Sequence, residues 1–183
     1  MPRNEIRIGA GTLKNRVVHF SPILNLRPTP SRVKETLFNW LGQRLGGLKV
    51  LDLFAGSGSL GFEAASRGAD FVHSNDLNPV AVRHLKENAA RFNLSNTCFA
   101  ITQKEALNLL DCFIQNQQFF DVVFLDPPFA QNRWAELEKV EKILNPRAVL
   151  YVENKSEMTE FCKRPCCKFL KAGDVCAHLF GTK

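Results

Sequence analysis

From Lys49 onward the chain alternates short apolar runs with amphipathic stretches of helix length. Strand-like runs fall at residues 50–54, 71–74, 98–101, 122–125 and 148–152, with helical patterns between them at 59–67, 79–92, 105–116 and 134–144. A strand followed by a helix returns to the same edge of the sheet, so strands joined this way pair in parallel. The alternation therefore predicts a doubly wound, Rossmann-like α/β fold. Residues 168–170 and 177–180, about Gly173-Asp174, read as a closing hairpin, which makes a mostly parallel sheet of seven strands.

The residues ahead of Lys49 follow a different pattern. Ile6-Arg7-Ile8 and Val17-Val18-His19-Phe20 flank Gly9 and Gly11 as a small hairpin. Pro22, Pro28 and Pro30 stiffen a link, and Thr29 followed by Pro30 predicts a capped helix with proline at its first position. Val33, Leu37 and Leu41 give that helix one apolar face before Gly42 stops it. The expected organisation is a hairpin-helix extension over residues 1–45 and one α/β domain over 46–183.

Charge separates the same two parts. The chain carries 24 Lys and Arg against 18 Asp and Glu, a formal excess of +6. Arg3, Arg7, Lys14, Arg16, Arg27, Arg32 and Lys34 face only Glu5 within residues 1–34, so the rest of the chain is balanced. A basic segment of this kind suits an acidic partner. With 45% hydrophobic and 23% charged residues the composition is that of a globular protein. The longest apolar runs, at 122–125 and 148–152, fall far short of the roughly 18 residues of a membrane span. The opening Met-Pro-Arg-Asn-Glu-Ile-Arg lacks the apolar centre of a secretory signal, so a cytoplasmic protein is expected, with its six cysteines as thiols. Cys162, Cys166, Cys167 and Cys176 with His178 show one metal-like spacing without a second pair, and no metal is expected.

Val50-Leu51-Asp52-Leu53-Phe54-Ala55-Gly56-Ser57-Gly58-Ser59-Leu60-Gly61 is a buried strand ending in a glycine-rich turn that opens a helix. Such a turn aims backbone N–H groups at the carboxyl edge of the sheet, where doubly wound folds bind ligands, and glycine lets a ligand approach where a Cβ would collide. Taken alone, Gly56-x-Gly58-x-x-Gly61 also fits a dinucleotide fingerprint. Asp52, two residues before the expected strand end, can reach a cationic amino-acid group of a ligand. Asp76, which follows Gly56 by 20 residues, suits ribose hydroxyls. A nicotinamide cofactor accounts for Asp76 and not for Asp52. The competing structural account of Asp76 is a cap for the helix opening at Asn78-Pro79.

Asp126-Pro127-Pro128-Phe129 closes the fourth strand. Proline has no N–H and a fixed φ, so the segment presents a carboxylate and carbonyls in a stiff, acceptor-only array. Acceptors select a donor such as the exocyclic amine of a nucleobase, with Phe129 placed to stack on the ring.

These residues resemble a known family. Asp52-Leu53-Phe54-Ala55-Gly56-Ser57-Gly58 with Asp126-Pro127-Pro128-Phe129 resembles S-adenosylmethionine-dependent methyltransferases that act on planar amino nitrogens. Arg27-Pro28-Thr29, Arg32-Val33-Lys34-Glu35-Thr36-Leu37-Phe38-Asn39-Trp40-Leu41 and Leu150-Tyr151-Val152-Glu153 are similar to the bacterial RsmD family, which methylates guanine N2 in small-subunit ribosomal RNA. The likeness runs from about Ile6 to Glu153 and is weaker beyond Cys162.

The resemblance implies that residues 46–183 form the methyltransferase domain. Phe54, Ala55, Gly56, Ser57 and Gly58 would wrap the methionine part of S-adenosylmethionine, with Asp52 near its ammonium, Asp76 at the ribose and Leu77 against the adenine. Glu105-Ala106 stands where the family often has Asp-Ala near the adenine amine. Asp126, Pro127, Pro128 and Phe129 would form the catalytic segment. Arg7, Lys14, Arg16, Arg27, Arg32 and Lys34 would meet 16S rRNA of the small ribosomal subunit, in a monomer that leaves S-adenosylhomocysteine as product. Other readings of the same residues are adenine N6 methylation of DNA or RNA, methylation of a protein glutamine, a nucleic-acid-binding protein without catalysis, and a nicotinamide-dependent oxidoreductase.

Overall fold

The computed structural model describes residues 5–21, 30–128 and 133–181. β1 (Glu5–Arg7) and β2 (Val17–His19) form the expected antiparallel hairpin. α1 (Ser31–Leu41) follows, with Val33, Leu37 and Phe38 buried and Gly42 ending it at φ 80°. Pro30 is the residue before this helix rather than its first residue, so it stands one place earlier than expected. Thr29 lies outside the described residues. Trp40, half-buried, packs against the core.

The remaining elements are β3 (Lys49–Asp52), α2 (Ser59–Ser66), β4 (Phe71–Asn75), α3 (Pro79–Arg91), β5 (Phe99–Thr102), α4 (Ala106–Gln115) and β6 (Phe120–Leu125). After them come α5 (Trp134–Leu137), β7 (Leu144–Asn154), β8 (Glu160–Phe161), β9 (Arg164–Ala172) and β10 (Val175–Phe180). The sheet order is β5-β4-β3-β6-β7-β10-β9-β8. β5, β4, β3, β6 and β7 pair in parallel, and β10, β9 and β8 add antiparallel pairs. The sheet is thus the expected mostly parallel seven strands plus one two-residue strand at its edge.

Two details depart from the sequence reading. The helix expected over 134–144 is one α-turn followed by a 3-10 helix at Glu138–Ile143, and β7 starts at Leu144. Val140, Ile143 and Leu144 are all buried, so the apolar spacing that reads as α-helix here serves the tighter turn and the strand. The extra strand β8 turns into β9 through Cys162 and Lys163, both at positive φ (54° and 58°), a two-residue hairpin without glycine or asparagine to announce it.

The sheet is covered on both faces. Leu37 and Phe38 of α1, Phe62 of α2 and Leu85 of α3 pack on one face with Val50, Val72 and Phe124. Leu110 and Phe113 of α4, with Leu137 and Val140, pack on the other against Leu51, Val123 and Val152. Phe62 stacks on Phe99 at 4.8 Å and meets Phe92 edge-on at 5.4 Å, and each such pair adds about 0.5–1.5 kcal/mol to simple burial. Among the described residues no helix is long and apolar enough to cross a membrane.

The amino-terminal segment shares this core through Ile8, Leu13 and Val18. Its polar anchor is Glu63 in α2, a fully buried carboxylate. The Gly9 and Ala10 N–H groups donate to it at 2.8 and 3.1 Å, Lys34 Nζ lies at 3.0 Å and Arg67 Nε at 2.9 Å. Burial pushes this carboxyl up, but the Gly9 amide and the Lys34 and Arg67 cations outweigh it and hold the pKa below the usual value. Lys34 also donates to the Arg7 carbonyl at 2.9 Å. At Gly11, with φ 81°, an added Cβ would sit 1.7 Å from the Ser66 carbonyl, so only glycine fits this crossing.

Glu63→Ala leaves Lys34 buried beside no carboxylate and should destabilise the chain by about 3–5 kcal/mol. Lys34→Met should cost less, because Arg67 and two amides still serve Glu63. Urea unfolding of the two variants tests that order.

Candidate active site

Parallel strands that leave β3 in opposite directions open a crevice at their carboxyl ends, and here it lies between β3 and β6. Asp52 is the last residue of β3 rather than two short of its end. Its Oδ2 accepts from the Gly61 N–H at 3.0 Å, and an added Cβ on Gly61 would lie 2.6 Å from Ser74 Oγ, so glycine lets α2 close onto the strands. Asp52 is 3% exposed. Burial first, then the charges of Asp76 and Glu153, push its carboxyl up to about 7 against the lowering effect of the Gly61 amide.

The turn that follows is shaped by glycine. Gly56 and Gly58 have φ of 51° and 80°, and an added Cβ on Gly58 would lie 2.5 Å from Leu85 Cδ2. Asp76 grips this turn from the end of β4, accepting from the Gly56 N–H at 2.7 Å and the Asn78 N–H at 2.8 Å. Asn78 itself caps α3, accepting from Val80 N–H at 2.8 Å. Asp76 thus orders the glycine turn and the start of α3 together. Ala55 donates to the Asn75 carbonyl at 2.8 Å, while Ser57 sits buried at the apex. Among the described residues the Ser59 and Ser74 hydroxyls are buried without hydrogen-bond partners, one at the first residue of α2 and one beneath Gly61.

Phe54, Ala106 and Pro127 line a pocket with Glu105, Leu107, Arg133 and Leu137. Glu105 caps α4 by accepting from Asn108 N–H at 3.0 Å, and Arg133 holds its other oxygen at 3.0 Å. Arg133 and Leu137 carry no motif in the sequence and enter the pocket only through the fold. Leu77, just past Asp76, is 59% exposed, an apolar surface placed beside the crevice.

Asp126 follows β6 directly. The β6–β7 register pairs Phe124 with Tyr151 and Leu125 with Val152, which sets Asp126 beside Glu153. Tyr151 donates its hydroxyl to Glu153 Oε1 at 2.8 Å, and both residues are buried. Burial, then Glu153, then Asp52 raise the Asp126 carboxyl well above the ordinary range, and burial with the Glu153 charge does the same to the Tyr151 hydroxyl. Glu153 is thus a site residue for which the sequence reading gave no role. The signal was its spacing from Tyr151, since residues two apart in a strand share a face. Phe129 lies outside the described residues.

Of the basic residues expected at an RNA surface, Arg7, Lys14, Arg16 and Arg32 are exposed, and Arg27 lies outside the described residues. Lys34 requires a correction. At 4% exposure and paired with Glu63 it cannot reach a phosphate, because its position on the inner face of α1 commits it to the core. All six cysteines are unpaired thiols. Among the described residues no three His, Cys, Asp or Glu side chains cluster as a metal site.

The raised Asp52 carboxyl has a consequence for stability. Between pH 3.8 and about 7 the folded chain holds a proton that the unfolded chain has lost, so stability falls as pH rises through that window and levels above it. Asp52→Asn keeps an acceptor for Gly61 and should flatten the fall. Urea midpoints across the window in both proteins measure it, and identical slopes would remove Asp52 as the source.

A relative from Haemophilus influenzae named ribosomal RNA small subunit methyltransferase D is 42% identical over 161 residues, covering 85% of this chain and 81% of that protein. The solved structure of a methyltransferase candidate from Escherichia coli superposes with a TM-score of 0.83 at 31% identity, covering 98% of each chain. A methyltransferase candidate solved with S-adenosylhomocysteine, 16% identical with a TM-score of 0.64 over 82% of this chain and 48% of that one, shares the fold. The family described as conserved hypothetical protein 95 matches residues 6–180, and the chain belongs to it, the RsmD family that the sequence motifs resemble.

Proposed function

We propose that this chain transfers a methyl group from S-adenosylmethionine to the exocyclic N2 of a guanine in 16S rRNA of the small ribosomal subunit. The observation that carries the reading is the acceptor-rich end of β6, Asp126 and Pro127, beside the buried Asp52 and the glycine turn of β3. The name of the Haemophilus influenzae relative, a ribosomal RNA methyltransferase, supports the RNA substrate.

The residues present fit the cofactor. Asp52, whose proton affinity is raised by burial and by neighbouring carboxylates, gains most from a cation at its side, such as the ammonium of a methionine moiety. The glycine turn from Phe54 to Gly58, at positive φ at Gly56 and Gly58, ends at the buried Ser59 hydroxyl, which has no hydrogen-bond partner among the described residues. Asp76 has oxygen lone pairs for ribose hydroxyls beyond the two amides it serves, since a carboxylate has about four acceptor sites. Leu77 and the pocket at Glu105 and Ala106 flank the adenine. S-adenosylmethionine supplies a methyl already activated on a sulfonium.

The protein's contribution is position, which can account for roughly 7–11 kcal/mol of a barrier. Asp126 and the Pro127 carbonyl accept hydrogen bonds from the N2 amine and draw electron density onto a nitrogen whose lone pair is otherwise delocalised. With S-adenosylmethionine held by these residues, formation of the N–C bond would break the S–C bond and release S-adenosylhomocysteine, and the amine proton would go to the ionised Asp126 carboxylate or to water. Pro128 stiffens the segment and Phe129 stacks on the guanine, which must be unpaired or flipped for N2 to enter. Residues 1–45 serve as the RNA-facing extension and residues 46–183 as the methyltransferase domain of a monomer, without a metal.

Asp126→Ala should lower methyl transfer by about 10²–10⁴-fold while retaining cofactor binding. Incubation with methyl-labelled cofactor and naked rRNA, small subunits, DNA or protein tests the substrate. Label confined to DNA or protein rejects the proposal. Neutralising Arg7, Lys14 and Arg16 together should weaken RNA binding and flatten its salt dependence by about 0.7–0.9 in the log–log slope for each lost phosphate contact. Cofactor affinity, measured by calorimetry, should not change.

A further inference from the structure

Adenine and guanine both present an exocyclic amine, and Asp126 with the Pro127 carbonyl can accept from either. The two bases differ at the adjacent ring atom. Guanine N1 carries a hydrogen and donates beside its N2 amine, whereas adenine N1 is a bare lone pair beside its N6 amine. A site that distinguishes them needs a second acceptor next to the first.

The sheet register supplies one. Leu125 pairs with Val152, so Asp126 and Glu153 are neighbours across parallel strands about 4.8 Å apart. They share a face with Phe124 and Tyr151, two residues earlier on the same strands. Glu153 is 3% exposed, which makes it unlike a solvating surface carboxylate. Tyr151 donates to Glu153 Oε1 at 2.8 Å, which fixes the orientation of the carboxyl group. Among the described residues, Asp52 from β3 and Tyr151 from β7 are titratable groups that face the pair.

We propose that Glu153 is the residue that selects guanine, accepting the hydrogen bond from N1–H while Asp126 and Pro127 hold the N2 amine. The proposal rests on the guanine-N2 reading and deepens it. For adenine, or any base with an unprotonated N1, Glu153 sets acceptor against acceptor, and that repulsion rejects the base. Tyr151 is a positioning residue in this scheme, acting through Glu153.

The test compares two synthetic RNAs that carry, at the nucleotide where label is found, either guanine or 2-aminopurine. The second keeps the amine on C2 and lacks the N1 hydrogen. The wild-type protein should methylate guanine faster, in kcat/KM, by on the order of 10–100-fold. Glu153→Gln keeps an acceptor for Tyr151 and gains a donor for the bare N1, so the preference should shrink to within about threefold, with 2-aminopurine gaining in absolute rate. A purely structural role would slow both RNAs alike and leave the ratio intact, and that result would overturn the proposal. Tyr151→Phe should narrow the ratio part way, and it serves as the test variant where Glu153→Gln does not fold. A wild-type ratio near one also overturns the proposal while leaving guanine methylation standing. No transfer to the guanine RNA by the wild-type protein overturns the functional reading itself, and this selection with it.

Discussion

Carboxylates crowded at one edge of a sheet are the constraint around which this structure is arranged. Parallel pairing of β4, β3, β6 and β7 brings Asp76, Asp52, Asp126 and Glu153 to the same carboxyl edge. Like charges in a buried setting raise one another's proton affinity, and here burial is the larger of the two effects. Backbone amides relieve part of the strain. Gly61 serves Asp52, and Gly56 and Asn78 serve Asp76. The Gly61 and Gly56 amides reach their carboxylates at positions without a side chain, so the glycine turn and the acidic edge depend on each other.

Glu63 shows what the same group becomes with full compensation. It is as deeply buried as Asp52, yet its pKa falls where that of Asp52 rises. The Gly9 amide with Lys34 and Arg67 makes the difference, since together they stabilise the ionised form more than burial, the largest single effect, opposes it. Glu63 ties the amino-terminal segment to α2. Asp52, which receives a single amide, keeps a demand for positive charge that a cationic ligand can meet. Burial alone would rank the two acids together, and their partners separate them.

The parts legible in the sequence were those written in backbone chemistry. The strand–helix alternation from Lys49 predicted the layers, and the parallel pairs followed from it. Gly56, Gly58, Asp76 and Asp126 were legible because turns at positive φ and strand ends demand particular residue types. What escaped was set by tertiary context. Nothing local marks Cys162 and Lys163 as a hairpin turn, and the register with β9 imposes their positive φ. The spacing of Val140, Ile143 and Leu144 satisfies a 3-10 turn as well as a longer helix, and the buried surface of α4 beside it decides. Lys34 was counted among surface cations because its partner, Glu63, lies 29 residues downstream. Glu153 required the β6–β7 register before it could be placed beside Asp126.

The correction at Lys34 also refines the electrostatic division of the chain. Its charge is cancelled within the core by Glu63, so the exposed excess among the described amino-terminal residues rests on Arg7, Lys14, Arg16 and Arg32. In the proposed function, an acidic crevice and a basic extension would act on different parts of one polynucleotide. Phosphates would be drawn to the exposed cations over a range set by a Debye length of about 8 Å at physiological salt. Carboxyls of raised proton affinity favour a partner that is neutral and rich in donors, or positively charged. A base turned out of its stack meets the first condition and a sulfonium the second. The same carboxylates that raise one another's proton affinity would therefore sort backbone from base.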